Sequence, residues 1–261
     1  MAMRMRAALA PVCLLVLLAG AWEGAVRLYG VPPYILPKPS RILAVFFLRF
    51  PMIGHHAAIT LIEIVLGVAV AAVVGFGLAV LIYHSRLVER ALHPLIVASQ
   101  MVPVFAVAPL LVFWFGYGVW PKAVVAALIG FFPMVVNTVD GLGAASGESV
   151  DLFRSLGASR VQILVKLRFP AALPLVLSGV KVGTTLAVVG ATIGEWIGAE
   201  RGLGYLMVQS NARLQMDVVF AAILALTLLG LCLFGALRTI ERRLLRWRQA
   251  GQSHRTAAVN R

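Results

Sequence analysis

Repeated runs of about 20 consecutive apolar residues, separated by short polar segments, constrain this chain more than any other feature in it. Wound as a helix, about 20 residues match the roughly 30 Å hydrocarbon core of a bilayer. No water reaches that core, so a spanning segment must satisfy its own backbone hydrogen bonds, which only helices or a closed barrel achieve. Barrel strands would alternate apolar and polar residues over segments of about ten, and these runs do not. Composition agrees, since 61% of the 261 residues are hydrophobic and only 13% charged, against about a quarter charged in a soluble globular chain. The expected fold is therefore all-α and integral to a membrane.

Six spans are expected, at about 7–29, 56–83, 94–115, 121–139, 171–193 and 218–240, in a single domain covering 1–261. Leu18-Ala19-Gly20-Ala21 resembles a signal-peptidase site, but the apolar run continues past it, and we read an uncleaved first span. Ser40 is positioned to cap a short amphipathic helix over 40–50, too short to span and suited to the interface with membrane lipid. Pro103 and Pro109 inside the third span predict a kinked or broken helix.

Net charge is +13. The basic residues flank apolar spans, so the charge points to the positive-inside rule rather than to nucleic acid. With the N-terminus inside, the inner segments and the basic tail hold 15 of the 23 Lys and Arg. Outer segments hold 7, Lys122 among them, and Lys181 lies within span five. Both termini are expected to be cytoplasmic. Cys13 and Cys232 fall in apolar runs and read as small hydrophobes. His55 and His56 are adjacent and do not share a helix face, so no metal site is expected.

The longest polar interruption, 140–170, reads as a helix–turn–helix. Ser149 is placed to cap its first helix, with Asp151 in the first turn near the positive dipole end. Gly157 breaks that helix, Ser159 caps the next, and Pro170 separates the loop from span five. The second helix offers Val161, Ile163, Leu164 and Leu167 on one side, a face suited either to a groove on another protein or to the lipid surface.

This segment resembles the cytoplasmic signature loop of binding-protein-dependent ATP-binding-cassette importer permeases. Asp151-Leu152-Phe153 stands where that family has Glu-Ala-Ala, Gly157 falls at the family's glycine, and Leu167-Arg168-Phe169-Pro170 ends the motif. Ala158-Ser159-Arg160 also fits. Leu36-Pro37-Lys38-Pro39-Ser40, Ala108 to Gly118, Phe131 to Thr138 and Gly194-Glu195-Trp196-Ile197-Gly198 through Tyr205 look like the nitrate/sulfonate/taurine branch. The resemblance implies the type I importer permease fold, a homodimer with a second permease copy, two ATPase subunits docked on Asp151, Leu152, Phe153, Gly157, Ala158, Ser159, Leu167 and Pro170, and a periplasmic or lipid-anchored solute-binding protein. It implies a small organic anion or nitrate as solute, with pyrimidine vitamin precursors or riboflavin as alternatives.

The chain has no Gly-x-x-x-x-Gly-Lys-Ser/Thr phosphate cradle, so ATP and Mg belong to a partner and no cofactor or catalytic residue is expected here. Gly179/Gly183, Gly190/Gly194 and Gly194/Gly198 have the spacing that lets helices approach closely. Glu195, Glu200, Gly194 and Gly198 are the gate and pathway candidates. Glu63 lies near the outer end of span two, and Lys181 is close enough to the inner end of span five to snorkel. An ion-coupled carrier would show inverted repeats and mid-membrane acids. A membrane-embedded enzyme would show a nucleophile beside a base. Neither pattern is evident.

Overall fold

Helices in lipid close their own hydrogen bonds, so breaks are expected where the sequence removes a donor or supplies a turn. The computed structural model describes residues 2–245, with side chains from Pro11 onward. The side chains of Arg4 and Arg6, and the tail with Arg246, Arg248, Arg255 and Arg261, lie outside the described residues. In chain order the helices are α1 (Ala2–Leu28), α2 (Pro39–Leu48), α3 (Phe50–His84), α4 (Arg86–Ser99), α5 (Val104–Phe115), α6 (Val119–Gly143), α7 (Gly147–Ser155), α8 (Arg160–Ile163), α9 (Phe169–Gly198), α10 (Leu203–Ala212) and α11 (Met216–Leu244). A π-helical turn, Leu164–Arg168, joins α8 to α9. No strand occurs among the described residues. Five helical stretches are long and apolar enough to cross a membrane, and the bent pair α4–α5 makes a sixth if it counts as one span.

The chain divides into two compact units, Met1–Ile59 with Glu200–Leu228 and Thr60–Ala199 with Leu229–Arg261. In the first, Ile42 and Phe46 of α2 and Ile53 of α3 pack with Leu203, Leu206, Met207, Val218, Ala221 and Ala222. Trp22 of α1 lies against Phe220 with ring centroids 5.5 Å apart. The α2 helix starts at Pro39 rather than at a Ser40 cap, because proline suits the first helical position, where no donor is needed. Capping comes instead from Glu23 of α1, which accepts from the Ser40 N–H at 3.0 Å and the Ser40 hydroxyl at 2.8 Å. A carboxylate there also meets the positive end of the α2 dipole. Arg41 of α2 pairs with Asp217 of α11 at 2.9 Å.

In the second unit the expected third span is two helices. The chain bends by 97° between α4 and α5, and Pro103 is the residue that caps α5. Proline lacks the N–H that would continue the ladder and pushes the preceding residue out of the helical region. Pro109, by contrast, sits inside α5 without ending it. Span two begins at Phe50 rather than at residue 56, since nothing after Arg49 interrupts the helix.

The tightest packing is between α6 and α9. A Cβ on Gly183 would lie 2.6 Å from the Gly130 carbonyl oxygen, and one on Gly130 would lie 2.8 Å from that of Gly183. Gly179 and Gly190 of α9 similarly face Pro133 and Ala126 of α6 at 2.8 and 2.7 Å. The small-residue spacing in span five is thus used within this chain, to bring two backbones together. Replacing Gly183 by Ala is expected to cost about 1–3 kcal/mol of stability by overpacking. Gly77→Ala, whose Cβ would meet nothing within 4 Å, should leave stability unchanged or slightly higher. Unfolding of the two purified variants in detergent measures the difference.

Candidate functional site

The polar segment after α6 is built by local capping. Ser146, not Ser149, caps α7, accepting from the Ser149 N–H at 3.3 Å. Glu148 is therefore the acid in the first turn, and Asp151 falls one turn further on, where it pairs with Arg154 at 3.2 Å. Two serines three residues apart are equivalent as caps on sequence grounds, and the α6 helix, ending at Gly143, selects the earlier one. Gly157 has φ +77°, the left-handed conformation that ends a helix and that glycine adopts without strain. Its N–H donates to the Arg154 carbonyl at 2.9 Å, and the Ala158 N–H to that of Phe153 at 3.0 Å. Ser159 then caps α8 reciprocally with Gln162, as the sequence suggests.

Pro170 does not separate this segment from α9. Helix continues from Arg160 to Gly198, 39 residues, and the π-helical turn just before the proline absorbs its missing donor. Val161 and Ile163 are two residues apart in α8, on opposite sides of the helix: Ile163 is buried while Val161 is 63% exposed, so the expected common face is not formed. Leu152 and Leu156 project outward beside Asp151, while Phe153, Ala158, Leu167 and Pro170 are half-buried and Ser159 is exposed. Arg168 anchors the base of the loop. It donates to the Leu142 carbonyl at 2.8 Å and lies 4.7 Å from the Tyr83 ring centroid.

At the opposite end of α9 the same unit buries four polar side chains: Thr60, Glu63, Lys122 and Glu195. The Thr60 hydroxyl donates to Glu195 Oε1 at 2.6 Å, and Lys122 Nζ is 3.9 Å from Glu63 Oε1. The Glu63 and Glu195 carboxyls interact directly. Lys122, counted in the sequence among cations outside the spans, is instead 6% exposed, its stem lodged against Gly194. A Cβ at Gly194 would come within 3.0 Å of the Lys122 Cα, and one at Gly198 within 2.5 Å of Val112. Of the gate candidates, Glu195, Gly194 and Gly198 therefore come together, whereas Glu200 is exposed and belongs to the first unit. Lys181 does not snorkel to water alone; it pairs with Glu241 of α11 at 2.7 Å. In the first unit His56 Nδ1 accepts from the Gly202 N–H at 3.0 Å, tying the loop before α10 to α3.

An all-helical chain with several bilayer-length spans, whose longest polar break is a capped helix–turn–helix, fits the class of membrane-spanning importer subunits. Residues 64–246 match the family described as binding-protein-dependent transport system inner membrane component, and the chain belongs to that family. It is thus a multi-pass inner-membrane permease of an ATP-binding-cassette importer. The formylaminopyrimidine transport permease of Halalkalibacterium halodurans is 40% identical over 93% of this chain and 97% of its own. A riboflavin transport system permease of Chloroflexus aurantiacus is 36% identical over 91% and 89%. The taurine transport system permease of Escherichia coli is 30% identical over 89% and 87%. In structure, a methionine ABC transporter in an inward-facing conformation aligns with TM-score 0.59 at 20% identity, covering 75% of this chain and 97% of that one, which gives the fold.

Removing Lys122 would leave the buried Glu63 carboxyl without its cation. Lys122→Met is expected to destabilise the chain by about 3–5 kcal/mol, and adding Glu63→Gln should recover much of the loss. Denaturation of the single and double variants, read as a thermodynamic cycle, checks this.

Proposed function

We propose that this permease imports a small heteroaromatic solute of the formylaminopyrimidine type, handed over by a solute-binding protein. The observation that carries the reading is the 40% identity to a formylaminopyrimidine permease across nearly the whole length of both chains. The 36% identity to a riboflavin permease points to the same planar, nitrogen-rich chemistry. The organic anion expected from the sequence keeps its place as the second reading, on the 30% identity to a taurine permease. Uptake of labelled formylaminopyrimidine, riboflavin and taurine, each measured with the cognate binding protein, separates these. Transport of taurine alone would overturn the first reading.

In this proposal two copies of the chain form the pathway, both termini face the cytoplasm, and two ATPase subunits grip the segment 146–168. Closure of the ATPase pair on ATP draws that segment inward and turns the pathway from inward-facing to outward-facing, a switch set by differential contacts in the two states. The chain's own part is mechanical, and it carries out no covalent step. Exposed Leu152 and Leu156 supply apolar contacts to the partner, and the reversal at Gly157 sets the angle between α7 and α8.

Gly157→Leu places a branched side chain at φ +77°, where a non-glycine residue costs about 1–3 kcal/mol. It is expected to leave membrane insertion intact, abolish co-purification of the ATPase and reduce uptake at least tenfold. Normal uptake by that variant would remove the docking assignment.

A further inference from the structure

We infer that the basic cavity beneath α7 is a binding site for the phosphate group of an anionic membrane lipid. The cavity encloses about 780 Å³ and is lined by Arg86, Arg154, Arg160 and Arg168, with Tyr83 and His84 at one side. Among the described residues only Arg154 of these arginines has a carboxylate within 4 Å, from Asp151. Arg168 is held by the Leu142 carbonyl and by the ring of Tyr83, itself a lining residue, and its buried Nε has no hydrogen-bond partner. Arg86 and Arg160 are exposed and make no side-chain hydrogen bond among the described residues. Four guanidinium groups, one of them paired with a carboxylate, surround one concavity and form an anion site, and arginine forks suit phosphate oxygens.

The source of the phosphate follows from where the cavity lies. Tyr83 and His84 are the last two residues of α3, a 35-residue apolar helix. At about 52 Å this helix is long enough for its end to reach the headgroup layer, and tyrosine is a residue that accumulates at that level. Ser85 caps α4 at the same place, so that helix presents the positive end of its dipole beside Arg86. Basic pockets at span ends are a recurrent way of holding lipid headgroups. Leu152 and Leu156, the side chains α7 turns outward, do not line the cavity. A lipid bound there sits behind the loop and braces α7 against α3 and α9.

The test is native mass spectrometry of the full-length chain in mild detergent, offered phosphatidylglycerol and phosphatidylcholine in equal amounts. Phosphatidylglycerol should be retained in preference. The pair Arg86→Gln with Arg160→Gln should weaken it about 30-fold, lysine at both positions should restore most of the binding, and Arg201→Gln should change nothing. Equal retention of the two lipids, or unchanged retention in the double variant, would overturn the inference. So would displacement of the lipid by millimolar inorganic phosphate, which assigns the site to the free ion. A double variant that keeps the lipid but no longer co-purifies with the ATPase would assign the cavity to that partner instead. If the double variant does not fold, Arg160→Gln alone, at the exposed rim, gives the same reading with a smaller loss.

Discussion

The close approach of α6 and α9 is the contact on which the second unit depends. Helices in lipid gain nothing from hiding apolar surface, because the tails around them are equally apolar, so association rests on dense van der Waals contact and on polar links. Gly130 and Gly183 supply the first by removing the side chains that would hold two backbones apart. Once α6 and α9 are that close, their ends are fixed relative to one another. Lys122 then lies over Gly194 and reaches Glu63 of α3, while Leu142 at the far end of α6 offers its carbonyl to Arg168.

Polar links supply the second. The groups Thr60, Glu63, Lys122 and Glu195 would each be costly alone in a dry interior, and together they satisfy much of one another's charge and hydrogen-bonding capacity. A single apolar contact tolerates sliding, but a bonded cluster of ionisable groups has one arrangement, so it fixes where α3, α6 and α9 meet. Lys181 with Glu241 does the same between α9 and α11 nearer the other end.

Much of the fold was legible because its signals are local. Apolar runs marked the spans, Gly157 and Ser159 marked the reversal and the next cap, and the glycine spacing in span five marked a close contact. What stayed hidden depends on residues far apart in the chain. Nothing near Glu63 in sequence announces Lys122 or Glu195, and Lys122 sits beside Pro121 at a span edge where a cation usually faces water. Glu23 caps α2 from 17 residues away, so a local search for the cap settled on Ser40. Local reading also failed where two nearby residues were chemically equivalent, as with Ser146 and Ser149. Arg168 stood in the sequence only as a motif position and a charge, since a hydrogen bond to Leu142 leaves no mark in composition or period.

The uninterrupted helix from Arg160 to Gly198 has a consequence of scale. At 1.5 Å per residue its 39 residues make a rod of about 58 Å, nearly twice the roughly 30 Å of hydrocarbon it has to cross. The segment around Gly157 leads directly into one end, and Glu195 lies near the other. Were such a rod to pivot at the middle of the bilayer, a tilt of about 10° would swing each tip by about 5 Å, and in opposite directions. In the proposed switch, a small displacement at the loop would reach, with its sense reversed, the buried polar cluster at the far end.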